Sequence, residues 1–152
     1  VNKRQLIIIR HFLSVIIVTL VVVFGLMNLR DMINKSESLR EMGELGKAVK
    51  DYHKKNGSFP PESWIKPLEN NFARLGNLNY RAQQVFFDSP PETILAYNKY
   101  RSYAIFVPSG YAILQVDGQV KWMLLKEFDK VFAQQEKDQE LELYRFYRKS
   151  GN

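Results

Sequence analysis

The side chains able to do chemistry are few and scattered. His11 and His53 are the two histidines; the first stands at the edge of an apolar stretch and the second beside Tyr52. Neither has a second metal ligand at i+3 or i+4, since Asn56 and Gly57 follow His53. The chain has no cysteine, which removes disulfides, thiolate nucleophiles and cysteine-type zinc sites. The serines at 14, 36, 38, 58, 63, 89, 102, 109 and 150 sit in no nucleophile-elbow context, and there is no glycine-rich phosphate loop. Asp117 precedes Gly118, where a turn accounts for it; an acid–base carboxylate pair would require folding to bring Asp88 to Asp117. The chain is therefore expected to be non-enzymatic, with no cofactor, no metal site and no small-molecule substrate.

The elements say more than the reactive groups. From Phe12 to Met27 the chain reads FLSVIIVTLVVVFGLM, with nothing more polar than Ser14 and Thr19. With its flanks, Leu6 to Leu29, the stretch is interrupted only by Arg10, His11 and Asn28. As a helix it reaches roughly 36 Å, enough to cross a hydrocarbon core of about 30 Å. A cleaved signal peptide would need a small-x-small site just after the run, but GLMNLRDMINK follows. A buried core helix would be shorter or more interrupted, and an amphipathic surface helix would need a polar face between Val15 and Phe24. The run reads as a transmembrane helix whose first partner is the lipid bilayer. Lys3, Arg4 and Arg10 precede it with no acid among the first ten residues, while Arg30, Asp31 and Lys35 open the far side. The positive-inside rule then places the N-terminus in the cytoplasm of a single-pass inner-membrane protein, with residues from about 30 onward extracytoplasmic.

Of the 152 residues, those beyond residue 29 suffice for one domain with its own core. The formal charge of +6 includes the basic N-terminal flank, and no run of four basic residues occurs, so no nucleic-acid partner is expected. Ten Phe, eight Tyr and two Trp fit a packed body rather than a disordered tail. The organisation expected is a flank and membrane helix over 1–29, then one extracytoplasmic domain over 30–152.

Within that domain, residues 30–56 read as a helix. Met32, Leu39, Met42, Leu45, Val49 and Tyr52 recur on one face, with Glu37, Arg40, Glu44, Lys47 and Lys50 on the polar sides. Ser36–Ser38 is the weakest part of the pattern, where a bend is expected. Asn56-Gly57 stops the helix, and two prolines follow at 60 and 61. Gly43 and Gly46 each cost about 1 kcal/mol relative to alanine inside a helix. Close approach of another backbone, the domain's own sheet or a neighbouring subunit, would explain them; Gly46, beside Leu45 and Val49, is the stronger case. Residues 57–92 read as irregular, with short helical turns around Trp64, Ile65, Leu68, Phe72 and Leu75 and an extended piece around 84–87.

Residues 93–124 read as antiparallel sheet: TILAY from Thr93, SYAIFV from Ser102, YAILQV from Tyr111 and QVKWML from Gln119. Asp117-Gly118 between the last two is a strong hairpin signal, expected as a type I′ turn with positive φ at both residues. Alternation puts Val120, Trp122 and Leu124 on one face and Lys121 and Met123 on the other, so one face packs on the long helix. Residues 125–150 read as a helical tail, with Phe128, Val131 and Phe132 near its start. Its end, YRFYRK at 144–149, interleaves aromatics and bases; it reads as a helix end favoured by the dipole or as a site for anionic lipid or nucleic acid. The fold class is α+β: a transmembrane helix continuing into a long amphipathic helix packed on a small antiparallel sheet, with a C-terminal helix.

This order of pieces resembles the bacterial type IV pilin-like proteins and type II secretion pseudopilins. LGKAVKDYHKKNGSFPP, from Leu45 to Pro61, looks like the helix end IGxALxxYHxxxGxFPP of a large pseudopilin-like family. GYAILQVDGQVKWM, from Gly110 to Met123, looks like that family's Asp-Gly hairpin, and PPETILAY before it also fits. The resemblance implies a structural or assembly subunit of a secretion or pilus-type system in the periplasm, partnered by other pilin-like or membrane proteins. Gly43, Gly46, Val49 and Tyr52 become helix-packing positions and Asp117 and Gly118 the hairpin turn. Processed members carry a Gly-Phe junction with a glutamate soon after; here the run is preceded by RQLIIIRHFL, so that processing step does not carry over. The alternative from another class is a bitopic, membrane-tethered binding module presenting its extracytoplasmic domain to a ligand or partner protein.

Overall fold

The computed structural model describes residues 3–82, 85 and 89–150. One helix, α1 (Lys3–Asn56), runs unbroken through the apolar stretch and the amphipathic segment. At 1.5 Å per residue it is about 80 Å long. The helix is not frayed at Ser36–Ser38, and Ser38 is buried. From Leu6 to Leu29 every large apolar side chain is exposed, so no part of the fold covers them. The polar side chains inside the stretch bond to their own helix: Thr19 Oγ1 donates to Val15 O at 2.9 Å and Asn28 Nδ2 to Phe24 O at 2.8 Å. By length and composition α1 is the one helix among the described residues able to cross a membrane. It stops where glycine allows, since Gly57 has φ +70 and its N–H donates to His53 O at 2.8 Å.

The head is a three-layer sandwich. Its middle layer is a four-stranded antiparallel meander in sequence order: β1 (Leu78–Tyr80), β2 (Ile94–Tyr100), β3 (Gly110–Gln115) and β4 (Val120–Leu124). The C-terminal half of α1 covers one face. Met42, Leu45 and Val49 meet Leu95, Ala96, Ala112 and Leu114 there, and the short helix α2 (Glu62–Glu69) adds Ile65. The other face is covered by α3 (Leu125–Ser150), whose Phe128 packs with Ile94, Tyr111, Ile113 and Met123. Its aromatics stack: Tyr111 and Phe128 centroids lie 3.8 Å apart, Phe128 and Phe132 5.0 Å. Covered on both sides, β3 is buried along its whole length, which is why its sequence lacks alternation.

Several expectations are corrected. Ser102–Val107 is not a strand: β2 ends at Tyr100, and residues 101–109 form a loop that returns to α1. Proline 108 and the hydrogen bonds the loop makes to α1 replace a ladder. The 117–118 turn is not type I′, because Gly118 (φ +85) has positive φ and Asp117 does not. Gly118 N–H donates to Gln115 O and Gln115 N–H to Gln119 O, both at 2.9 Å, closing a three-residue loop that ends on a left-handed glycine. Met32 points outward at 58% exposure; the head-facing stripe at that level is polar. An extra strand forms at Leu78–Tyr80, and the 84–87 piece lies outside the described residues apart from Val85, which is buried. Val120 and Trp122 do pack on the α1 side, whereas Met123 faces α3 and Leu124 is exposed.

Candidate functional site

The contact between α1 and the head has two parts of opposite chemistry. From Met42 to Val49 it is apolar. From Asn28 to Glu41 the buried positions of α1 are Asp31, Asn34, Ser38 and Glu41. Asp31, 4% exposed, is the hub. Its Oδ1 accepts from the Tyr100 hydroxyl at 2.9 Å, and its Oδ2 accepts from the Ser102 hydroxyl at 2.6 Å and from the Tyr103 and Ala104 N–H groups at 2.8 Å each. Donation from the Ser102 hydroxyl leads in holding this carboxyl down at about 2, against the burial that would raise it; the two N–H groups and Tyr100 add to it. Burial, and then the adjacent carboxylate, push the Tyr100 hydroxyl upward.

The seam continues to either side of Asp31. Asn34 Nδ2 donates to Tyr100 Oη at 3.3 Å. The Arg74 N–H donates to Glu41 Oε2 and its guanidinium Nε to Glu37 Oε2, both at 2.8 Å. Toward the apolar run, the Phe106 N–H donates to Asn28 Oδ1 at 2.9 Å. Loop 101–109 is thus held by helix side chains through its own backbone donors. Its outward side chains have no cover: Tyr103 is 75%, Ile105 70% and Phe106 81% exposed. The helical periodicity favoured apolar positions and passed over this stripe. The available signal was Asp31, an acid two residues past the end of the apolar run and three to ten residues before the other polar members of one face.

The positions singled out from sequence are divided. A Cβ at Gly46 would lie 2.8 Å from Leu114 Cδ1, so the expected close approach is to the chain's own sheet. A Cβ at Gly43 meets nothing within 4 Å, so no backbone of this chain explains that glycine. Val49 is in the core, and Tyr52 packs on Trp64 at 5.0 Å between ring centroids. Gly46, Val49, Lys50 and His53 face Val116, Asp117 and Gly118 across a small cleft of about 240 Å³. Asp117 Oδ1 accepts from the Gln119 N–H at 2.8 Å, and its own N–H donates to Pro91 O at 3.1 Å. Asp117 therefore sits in the hairpin turn, without the positive φ that a type I′ turn would give it. Lys3 opens α1, and Arg4 and Arg10 are exposed on its first turns.

Among the described residues no cluster of three or more metal-ligating side chains exists. His53 rests against Phe59 with centroids 5.0 Å apart, and His11 is exposed on α1. Whether folding brings Asp88 to Asp117 lies outside the described residues, because Asp88 does. Of the 144–149 run, Tyr144 and Arg145 are exposed and the remaining side chains lie outside the described residues. The geometry is that of a built joint between a rod and a head. No family model matches the chain, and no curated protein or solved structure matches it significantly.

Proposed function

We propose that the protein is a membrane-anchored, pilin-like structural or assembly subunit, non-enzymatic, whose α1 both crosses the inner membrane and associates with like helices of a secretion or pilus-type machine. In this reading the N-terminus is cytoplasmic and the head extracytoplasmic. The observation that supports it is the unbroken α1: its first half offers apolar side chains to lipid or to neighbouring helices, and its second half is the spine of the head. Gly43 adds to this, because a helix glycine that its own fold leaves open suits a close approach by a second chain.

The test uses the absence of cysteine. A full-length Gly43→Cys variant in its native membrane carries one thiol, and a short bismaleimide reagent should link it to a second copy or to another pilin-like chain. Recovery of monomer alone counts against assembly. The second reading, a tethered binding module, is favoured by a groove of about 630 Å³ between Ser89–Thr93 and α3, lined by Lys130, Gln134, Asp138 and Arg145 among others. Under it the thiol at 43 stays monomeric.

A further inference from the structure

The loop between β2 and β3 has an unusual combination of features. Its three exposed large hydrophobic side chains, Tyr103, Ile105 and Phe106, are more exposed than those of the apolar run itself. Its backbone is nevertheless tied down. Tyr103 and Ala104 give their N–H groups to Asp31, Phe106 gives its own to Asn28, and the Ser102 N–H donates to Ser109 Oγ at 2.9 Å. Those helix partners fix its height. Asn28 and Asp31 bracket the end of the apolar run, which closes at Leu29, so the loop tip stands at the level where α1 leaves its apolar stretch.

We propose that residues 103–106 are a second membrane contact: a wedge that enters the interfacial layer of the bilayer beside the anchor and fixes the tilt of the head. This rests on the reading of residues 6–29 as a transmembrane helix. The occupant is lipid because the loop tip is held at the end of the apolar run, on the face of α1 flanked by Met27 and Met32, both of which are also exposed. Chemistry at that depth suits it. Aromatic rings are favoured at the membrane–water interface, and a shallow apolar element buries its side chains about 5–10 Å deep. The N–H groups of Tyr103, Ala104 and Phe106, costly to bury unpaired in an apolar medium, are already satisfied by Asp31 and Asn28. The Asp31 charge is enclosed by its donors rather than presented to lipid. Arg30 on α1 and Arg101 at the start of the loop are exposed, available to phosphate head groups.

The experiment is depth-dependent quenching on the full chain in vesicles of phosphatidylethanolamine with phosphatidylglycerol. Single-cysteine variants Tyr103→Cys, Val18→Cys and Lys54→Cys each carry an environment-sensitive fluorophore; Lys54 lies about 38 Å along α1 from Leu29. Lipids bearing a nitroxide near the head group should quench position 103 by about twofold, as expected for an interfacial site, and leave Lys54 unchanged. Lipids with a nitroxide deep in the acyl chain should quench Val18. Adding Ile105→Ser and Phe106→Ser to the Tyr103→Cys variant should abolish the quenching at 103 while leaving that at Val18. If Val18 is quenched and 103 is not, the wedge is wrong and the anchor stands. If Val18 itself is not quenched, the anchor reading fails and takes the wedge with it. Protection of 103 from aqueous iodide without quenching by lipid would mean that a protein covers the loop, which also overturns the proposal.

Discussion

The lower and upper halves of the α1–head contact solve the same problem with opposite materials. Below, Met42, Leu45 and Val49 fill the space against Ala112 and Leu114, and Gly46 lets the helix sit close to the sheet. Above, Asp31, Asn34 and Glu41 make directed bonds to a loop and to Arg74. The apolar half supplies non-directional stabilisation proportional to buried area. The polar half supplies little net energy per bond but dictates one geometry, because each broken partner leaves a donor or acceptor stranded. Such directed bonds fix the orientation of the head on α1, which non-directional apolar packing does not. The difference teaches that the head is held up from below and oriented from above.

The largest break in that comparison comes from the lower half. Leu45→Ala removes a fully buried side chain and should cost about 2–5 kcal/mol, unfolding head and sheet together. Thermal unfolding of the detergent-solubilised chain, followed by Trp64 and Trp122 fluorescence, measures it. A loss confined to α1 with the sheet intact would contradict a shared core.

Asp31→Ala should cost about 1–3 kcal/mol, because it strands two hydroxyls and two N–H groups that water can partly re-satisfy. The loss should be local: amide exchange in residues 101–109 rises, while β3 and α1 below Glu41 keep their protection. The wild type should show the same effect in acid. The folded carboxyl is held down at about 2 against an ordinary value of 3.8, so the stabilisation is complete above about pH 4 and is lost as pH falls toward 2. Loop protection in exchange experiments should follow that window in the wild type and be flat there in Asp31→Ala.

Ser38 sharpens the contrast. Its hydroxyl is buried at the lower edge of the seam with no hydrogen-bond partner among the described residues. Ser38→Ala should therefore stabilise, by about 1 kcal/mol, where Asp31→Ala destabilises. Chemical denaturation of the two variants checks the opposite signs, and a destabilised Ser38→Ala would mean that the hydroxyl has a partner.

How much of this was legible depends on the kind of signal. The long apolar helix, the helix stop at Gly57 and the tail helix follow from composition and from residues with fixed conformational preferences. The apolar half of the joint followed from periodicity, as did Val49 and Gly46. Periodicity also misplaced Met32, because it scores hydrophobicity and the true stripe at that height is Asp31, Asn34 and Ser38. SYAIFV has the composition of a strand but makes none. Its N–H groups go to side chains some 70 residues earlier in the chain, a long-range partner that no local pattern encodes. The Asp-Gly turn was found but mistyped, since both hairpin types end with a glycine at positive φ and differ in whether the aspartate joins it.

The smallest expected effect carries the most about assembly. Gly43→Ala adds a methyl that meets no atom of this chain within 4 Å. In the isolated protein it should raise stability by up to about 1 kcal/mol through helix propensity alone. A subunit that packs a neighbour's backbone against that glycine would lose the close approach to the same methyl. The two measurements should then diverge: a higher unfolding midpoint in detergent, and less bismaleimide-linked product from a cysteine placed at neighbouring Lys47 in the membrane. A higher midpoint with unchanged cross-linking would leave Gly43 an ordinary surface glycine and remove it from the assembly surface. A lower midpoint would contradict the open space around it. Gly46→Ala, where the methyl would meet Leu114 Cδ1 at 2.8 Å, serves as the contrast, because its effect passes through the chain's own sheet.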